Sequence, residues 1–163
     1  MWSGTATARD PWAACVKADA IRWAVGLGVL LLSAGAALAQ PLARSTRDGV
    51  FSAAQAERGE EAFRACSYCH GRDMRGGDDP PGPALKGEIF LTKWRDHPLL
   101  DLFTRVAETM PRDRPGTLEP QVYADILAHL MRANGMPAGE RDLAPEPATL
   151  RDIVLTGNPL GSR

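Results

Sequence analysis

Apolar residues recur at helical spacing near the middle of the chain. One face of a first predicted helix carries Ala56, Gly59, Phe63 and Cys66. Ser52 and Gln55 form a capping-box pattern that would begin this helix, because an N-cap hydroxyl and an N3 glutamine can each accept a hydrogen bond from the other's backbone N–H. Gly59 costs about 1 kcal/mol in a helix interior relative to alanine. Its presence favours close approach of another helix at that point.

Two further stretches show the same period. A second helix is predicted over 98–109, with an apolar stripe made of Leu99, Leu102, Phe103 and Val106. A third is predicted over 118–134, where Pro120 suits the first helical position and Gly135 follows as a stop. Its apolar face consists of Val122, Tyr123, Ile126, Leu127, Leu130 and Met131. The connecting segments are rich in glycine and proline, and no convincing strand alternation is present, so the predicted fold class is all-α.

The amino-terminal stretch has the pattern of an export signal. A basic flank that ends at Arg22 precedes an apolar run of about 16 residues, which is shorter than the roughly 20 residues of a spanning helix. Ala37 and Ala39 then form a small-residue cleavage site before Gln40. We therefore expect residues 1–39 to be a signal peptide, with an uncleaved membrane anchor as the alternative.

Composition divides the rest of the chain. A polar lead at 40–50 precedes a compact domain at 51–137. Residues 138–163 are rich in proline and glycine and have little helical period, so they are predicted to form an extended tail. Two roles are open for this tail, which could dock on a partner or cover its own domain.

Length and charge narrow the class of protein. The chain has 163 residues, enough for one domain or two at most, and 44% of them are apolar and 24% charged. These fractions exclude a disordered protein, a collagen-like fibre and a multi-span membrane protein. The net charge of −1 argues against a nucleic-acid partner. Three cysteines are too few and oddly numbered for a disulfide scaffold, and loss of Cys15 with the leader would leave two.

The two remaining cysteines belong to a C-x-x-C-H motif at 66–70, the attachment signature of c-type haem. Two thiols at this spacing can form thioethers with the two vinyl groups of one porphyrin, and the histidine that follows can bind the iron. The alternatives are a thioredoxin-like disulfide, which needs a βαβ context, and a zinc site, which needs a second ligand pair. His97 and His129 lie 32 residues apart and make a poor pair. The motif therefore predicts one covalently attached haem.

Residues 51–136 resemble a class I cytochrome c. The resemblance rests on a short helix before the motif, a Gly-Pro-x-Leu loop at 82–85 and a Met-Pro pair at 110–111 before the last helix. Further segments are similar to the cytochromes that accompany or are fused to quinoprotein (PQQ-dependent) dehydrogenases: Trp94, 109–111, 115–118, 123–127, 133–135 and 148–154. The resemblance implies a class I cytochrome c fold, with three to four main helices around one haem c and an extended carboxyl-terminal tail.

The resemblance also implies roles for individual residues around the motif. Cys66 and Cys69 would form the thioethers, and His70 would be the proximal iron ligand. Pro83 would offer its carbonyl oxygen to the other ring nitrogen of His70, a contact that fixes the tautomer and orientation of the imidazole. Trp94 would belong to the core or lie near a haem propionate, as a buried ring whose N–H needs a partner.

Met110 is the expected distal ligand. It lies 40 residues after His70, between a helix and a Pro-Gly loop that can fold over the haem, and its thioether would raise the reduction potential. Met74 is too close in sequence to His70 to reach the opposite haem face easily, and Met131 is expected in the core. His97 is the runner-up and would give a bis-histidine haem of lower potential.

The resemblance further indicates how the first and last helices would cross. Gly59 and Phe63 would pack against Tyr123 and Leu127. His129 stands where related cytochromes often have an aromatic residue.

These expectations favour an electron-transfer protein over an enzyme. It would be a periplasmic single-electron carrier that accepts electrons from a dehydrogenase, of the quinoprotein type, and passes them to another cytochrome or an oxidase. One alternative is a haem enzyme or gas sensor with an open sixth coordination position, which would require that Met110 not bind the iron. Another is a membrane-anchored cytochrome subunit of a respiratory complex, held by an uncleaved amino-terminal segment. No nucleic acid is expected among the partners.

Overall fold

The computed structural model describes residues 44–157, so the predicted leader at 1–39 lies outside the described residues. The α-helices in this part of the chain are α1 (Ala53–Phe63), α2 (Ser67–His70), α3 (Glu88–Trp94), α4 (Leu99–Thr109), α5 (Pro120–Ala133) and α6 (Pro147–Arg151). The strands are β1 (Arg44–Ser45), β2 (Gly77–Asp78), β3 (Pro81–Gly82) and β4 (Ile153–Val154), and a 3-10 turn spans Thr46–Asp48. Between residues 44 and 157, none of the helices has the length and apolar character that crossing a membrane requires.

The three predicted helices are confirmed as α1, α4 and α5. Helix α1 begins after Ser52, whose hydroxyl accepts a hydrogen bond of 3.0 Å from the backbone N–H of Gln55. The second half of the predicted capping box does not form there, because the Gln55 side chain is fully buried and bonds to residues of other segments. Pro120 stands in the first turn of α5, as predicted. Helix α3 lies in a region where no helix is predicted, and its N-cap is Gly87, which offers no side chain to signal a helix start.

Helices α1 and α5 pack closely at Gly59. A Cβ atom at this position would lie 1.8 Å from the carbonyl oxygen of Asp125, so only a glycine permits the two backbones to approach this far. The side chains that meet there differ from those expected. Phe63 packs with the second, smaller apolar cluster, and its ring lies 5.4 Å from that of His129. Leu127 belongs to the main core instead.

The predicted all-α class is correct for the main elements, but short strands are also present. Strands β2 and β3 form an antiparallel pair within the loop after the C-x-x-C-H motif. Strand β1 pairs with β4 in parallel, so the segment before α1 lies beside the segment after α6. Each strand is only two residues long, too short for an alternating pattern to be recognised.

The described part of the tail covers its own domain. The sequence predicts an extended tail, but this part of it contains the short helix α6 and the strand β4. Leu143, Leu150, Ile153 and Leu155 are almost completely buried in the main core. Between residues 138 and 157 the tail is therefore part of the apolar core rather than a trailing segment.

A polar network beneath α1 holds the start of this tail. Gln55 exchanges two hydrogen bonds with the backbone of Leu143, at 2.9 and 2.6 Å, and donates a third to Asp125 at 3.0 Å. Arg58 bridges the carboxylates of Asp125 and Asp142. These contacts satisfy an amide that would otherwise be costly to bury.

Candidate functional site

The C-x-x-C-H motif forms one tight helical turn directly after α1. The backbone N–H groups of Cys69 and His70 both donate to the carbonyl oxygen of Cys66, at 3.2 and 3.0 Å. Cys66 and Cys69 are each partly exposed and are not joined in a disulfide. The turn therefore presents two thiols and one imidazole within five consecutive residues.

The imidazole of His70 is held in one tautomer. The residue is 7% exposed, and its Nδ1 lies 2.8 Å from the carbonyl oxygen of Pro83. Because a carbonyl oxygen can only accept, Nδ1 must carry the proton and donate it in this bond. The lone pair of Nε2 is then available to a metal ion, as in other histidines oriented by a carbonyl oxygen. This is the contact that the resemblance implies between Pro83 and His70.

The loop that carries Pro83 lies directly on the motif. A Cβ atom at Gly82 would lie 2.3 Å from the carbonyl oxygen of Cys69, so β3 can approach this closely only with glycine at that position. The backbone N–H of Gly76 donates to the carbonyl oxygen of His70 at 3.0 Å. The backbone N–H of Leu85 donates to the carbonyl oxygen of Met74 at 2.8 Å. Local backbone contacts thus fix the Pro83 carbonyl relative to the motif.

Asn134, the residue after α5, holds the far end of the same loop. Its side-chain oxygen Oδ1 accepts from the backbone N–H of Gly87 at 2.9 Å, and its side-chain Nδ2 donates to the carbonyl oxygen of Leu85 at 3.0 Å. The same amide donates to Leu130 at 2.8 Å. The sequence signals only a helix end at Asn134 and Gly135, so its role in the loop is found from the structure alone.

Met110 lies at the carboxyl end of α4. It is partly buried, and its backbone N–H donates to the carbonyl oxygen of Val106 at 2.9 Å. Its own carbonyl oxygen accepts a hydrogen bond of 2.9 Å from the hydroxyl of Tyr123. Met74, Met131 and Met136 are each at most 4% exposed and fill apolar clusters, so Met110 is the most accessible methionine of residues 44–157. Its role as an iron ligand stays a prediction.

Trp94 lies at the end of α3 and is partly buried against the main core. The ammonium of Lys93 is 5.3 Å from the centre of its ring, and the ring of His97 meets it edge-on at 6.2 Å. Packing against the core is therefore present, and a contact with a haem propionate stays a prediction. His97, the alternative ligand, is exposed, and its Nδ1 lies 3.4 Å from the carboxylate of Asp101.

Partly exposed apolar side chains near Cys66 suit a flat apolar cofactor. Leu85, Leu118 and Val122 pack on the same apolar cluster as Cys66. Phe103 and Val106 are also partly exposed and pack on the main core. Burial raises the pKa of the Cys66 thiol above its ordinary value. Among residues 44–157, no group of three or more His, Cys, Asp or Glu side chains is placed to hold a metal ion. The donor set fits a covalently attached haem better than a protein-only metal site.

Comparison with known families supports this interpretation. Residues 54–130 match the family model described as cytochrome c oxidase, cbb3-type, subunit III. Searches of curated proteins and of solved structures found no match. The family match supports a class I c-type cytochrome domain. Such a domain implies a haem c cofactor, haem-based electron transfer and redox partner proteins, and it is generally an electron-transfer module rather than an enzyme.

Proposed function

We propose that this protein is a periplasmic single-electron carrier with one haem c attached through Cys66 and Cys69. The observation that carries the proposal is the hydrogen bond from Nδ1 of His70 to the Pro83 carbonyl. It orients the imidazole beside the two thiols and directs the Nε2 lone pair away from the loop, as an axial iron ligand requires. When bound, haem supplies one-electron redox chemistry at its iron.

The choice between electron transfer and substrate chemistry depends on Met110. If His70 and Met110 occupy both axial positions, no coordination position remains for a substrate. The partly exposed apolar side chains around the site would exclude water from the ring, and a thioether ligand would favour the reduced iron. These features support a carrier.

Optical spectroscopy of the oxidised protein tests the ligand pair. Ligation of ferric iron by a methionine gives a weak long-wavelength absorption band that depends on the iron–thioether bond. We expect the wild-type band to vanish in Met110→Leu, which keeps the volume of the side chain and removes its sulfur. Met136→Leu is the matched control, because Met136 lies in the main core, and it should keep the band. Persistence of the band in Met110→Leu would contradict the assignment.

Carbon monoxide separates the carrier from a haem enzyme or gas sensor. With Met110 bound, the ferrous protein should bind carbon monoxide slowly and incompletely at neutral pH, and Met110→Leu should bind it fast. Fast and complete binding by the wild type would favour an open sixth position instead.

The proposed electron donor is a quinoprotein dehydrogenase. The support is the similarity of the segments around Trp94, Met110 and Tyr123 to the cytochromes that accompany such enzymes. The test is anaerobic mixing of the oxidised protein with a PQQ-dependent dehydrogenase from the same source and its substrate. Reduction of the haem within seconds is expected. A haem that ascorbate reduces but the dehydrogenase does not would contradict this donor.

A membrane-anchored subunit of a respiratory complex is a second candidate. It is favoured by the description of the matched family, which names an oxidase subunit. Cell fractionation with amino-terminal sequencing distinguishes the two. The carrier should occur in the periplasmic fraction and begin at Gln40, whereas the subunit should occur in the membrane fraction with residues 1–39 retained.

A further inference from the structure

Tyr123 joins α5 to both ends of the loop that carries Met110. Its side chain is 3% exposed, and its hydroxyl donates to the carbonyl oxygen of Met110 at 2.9 Å. The same hydroxyl accepts a longer bond of 3.4 Å from the backbone N–H of Leu118. The ring of Phe103 meets the tyrosine ring edge-on at 6.2 Å. The hydroxyl is thus held at one place by a buried ring.

The loop from Met110 to Leu118 has few other anchors. Residues 112–117 are exposed. Within the loop, the backbone N–H of Arg114 donates to the carbonyl oxygen of Pro111 at 3.0 Å, and the hydroxyl of Thr117 donates to that of Arg114 at 2.8 Å. Both are internal to the loop and do not connect it to a helix. The Tyr123 hydroxyl therefore makes the buried polar link between α5 and the backbone of Met110.

We propose that Tyr123 is a positioning residue that keeps Met110 on the iron. The hydrogen bond fixes the carbonyl group of Met110, and with it the backbone from which the thioether side chain extends. The side chain keeps three rotatable bonds of its own, so the fixed backbone does not lock the thioether, but it limits the positions that the sulfur can reach and thereby favours the bound form. The inference rests on the proposed ligation of the iron by Met110.

The size of the effect follows from the type of bond. A hydrogen bond between neutral groups changes an equilibrium by about two- to tenfold. An added ligand such as imidazole binds ferric iron only when Met110 has left, so its apparent affinity rises as the bound form of Met110 becomes less stable. Loss of the Tyr123 hydroxyl should raise the apparent affinity for imidazole by about two- to tenfold.

The experiment is an imidazole titration of the oxidised holoprotein in a double-mutant cycle. Tyr123→Phe is made in the wild type and in Met110→Leu, where no thioether competes. We expect Tyr123→Phe to strengthen imidazole binding in the wild type and to leave it unchanged in Met110→Leu. A residue that only shaped the pocket would alter binding equally in both backgrounds.

Gln121→Met is the matched control. Gln121 lies on the same helix and donates a 2.9 Å hydrogen bond to Asp125, away from the Met110 loop. The substitution removes one hydrogen bond from α5 with little change of volume, as Tyr123→Phe does. It should leave the imidazole affinity at its wild-type value.

Three outcomes would overturn the inference. If Tyr123→Phe has no effect while Met110→Leu strengthens binding greatly, Met110 is the ligand but Tyr123 does not hold it. If Tyr123→Phe has the same effect in both backgrounds, it acts on the pocket and not through Met110. If Met110→Leu itself leaves imidazole binding unchanged, Met110 is not the ligand, and the proposed ligation fails together with the inference.

Discussion

The His70 side and the Met110 side of the proposed haem site, residues 66–87 and 110–118, are held in different ways. On the His70 side, the imidazole donates to the carbonyl oxygen of Pro83, and Gly82 allows β3 to lie against the backbone of Cys69. The side chain of Asn134 binds the backbone at the end of the loop. On the Met110 side, the backbone N–H of Met110 donates to Val106 of α4, and one tyrosine hydroxyl contacts the backbone at the two ends of an exposed loop. The first side has several independent side-chain and backbone contacts, whereas the second has one side chain that holds its backbone through hydrogen bonds.

This difference assigns separate tasks to the two sides. A site fixed by many short contacts is preorganised, so thiols and imidazole are in place before the cofactor binds. A loop held by few contacts can exchange between two states that differ by a small free energy. We therefore expect changes on the His70 side to affect folding and haem attachment, and changes on the Met110 side to affect ligand exchange and potential.

Gly82→Ala should give the largest effect, because it disrupts the packing of β3 against the motif on the His70 side. The added Cβ would lie 2.3 Å from the carbonyl oxygen of Cys69, so β3 and the Pro83 carbonyl must move. We expect a loss of about 3 kcal/mol in the free energy of unfolding, together with a lower yield of holoprotein. Denaturant unfolding and haem absorbance per unit of protein measure the two effects.

Gly157→Ala is the control for this substitution. Its Cβ would meet only the end of the Arg95 side chain, at 3.1 Å, and that side chain can move away. It should unfold like the wild type. Equal stability of Gly82→Ala and Gly157→Ala would show that the close approach of β3 to the motif is unimportant.

Asn134→Ala should have a smaller effect on the same side. It removes the acceptor for Gly87 and the donor for Leu85 and Leu130, which leaves partly buried polar groups without their partners. We expect a loss of about 2 kcal/mol in the free energy of unfolding, while the methionine band of the oxidised protein persists. Loss of that band at full stability would contradict the division between the two sides.

Substitution of His129 should give the smallest effect, a change in how the free energy of unfolding depends on pH. Burial, with a further contribution from Arg132, lowers the pKa of His129 below its ordinary value, although Glu60 opposes this. The unfolded state then binds the proton more readily than the folded state, so stability falls as the pH drops below about 6.5. Because His129 lies at the crossing of α1 and α5, this change should affect both sides of the site alike.

His129→Phe tests this prediction through unfolding curves between about pH 5 and 8. Phenylalanine keeps the ring contact with Phe63 and cannot take up a proton, so the slope of stability against pH should decrease. His97→Asn, an exposed histidine away from the α1–α5 crossing, should keep the slope. An unchanged slope in His129→Phe would assign the pH dependence to another group.

The sequence predicts best the part of the candidate site that consists of adjacent residues. The five residues from Cys66 to His70 form one turn, so their chemistry can be predicted from spacing alone. Gly59 predicted a close helix contact because a glycine inside a helix has a cost. Which side chains meet there is predicted less well: Asp125 and His129 meet α1 at Gly59 and Phe63, and Leu127 belongs to a different apolar cluster from Phe63.

Contacts between residues far apart in sequence could not be predicted. Gln55 has the pattern of a capping residue, yet its amide is buried against Leu143, 88 residues later. The tail has little helical period because α6 has only five residues and its burial depends on isolated side chains such as Leu143 and Leu150. No local pattern encodes such pairings, since they arise only when the chain has folded.

The most direct test of the account is the mass of the mature protein under denaturing conditions. The protein is produced in cells with machinery for c-type haem attachment and then unfolded in acid. The account predicts the mass of the polypeptide plus one haem, with the haem absent from the Cys66→Ala, Cys69→Ala double variant. A wild-type mass equal to that of the polypeptide alone would contradict covalent attachment at the motif, and with it the proposed function.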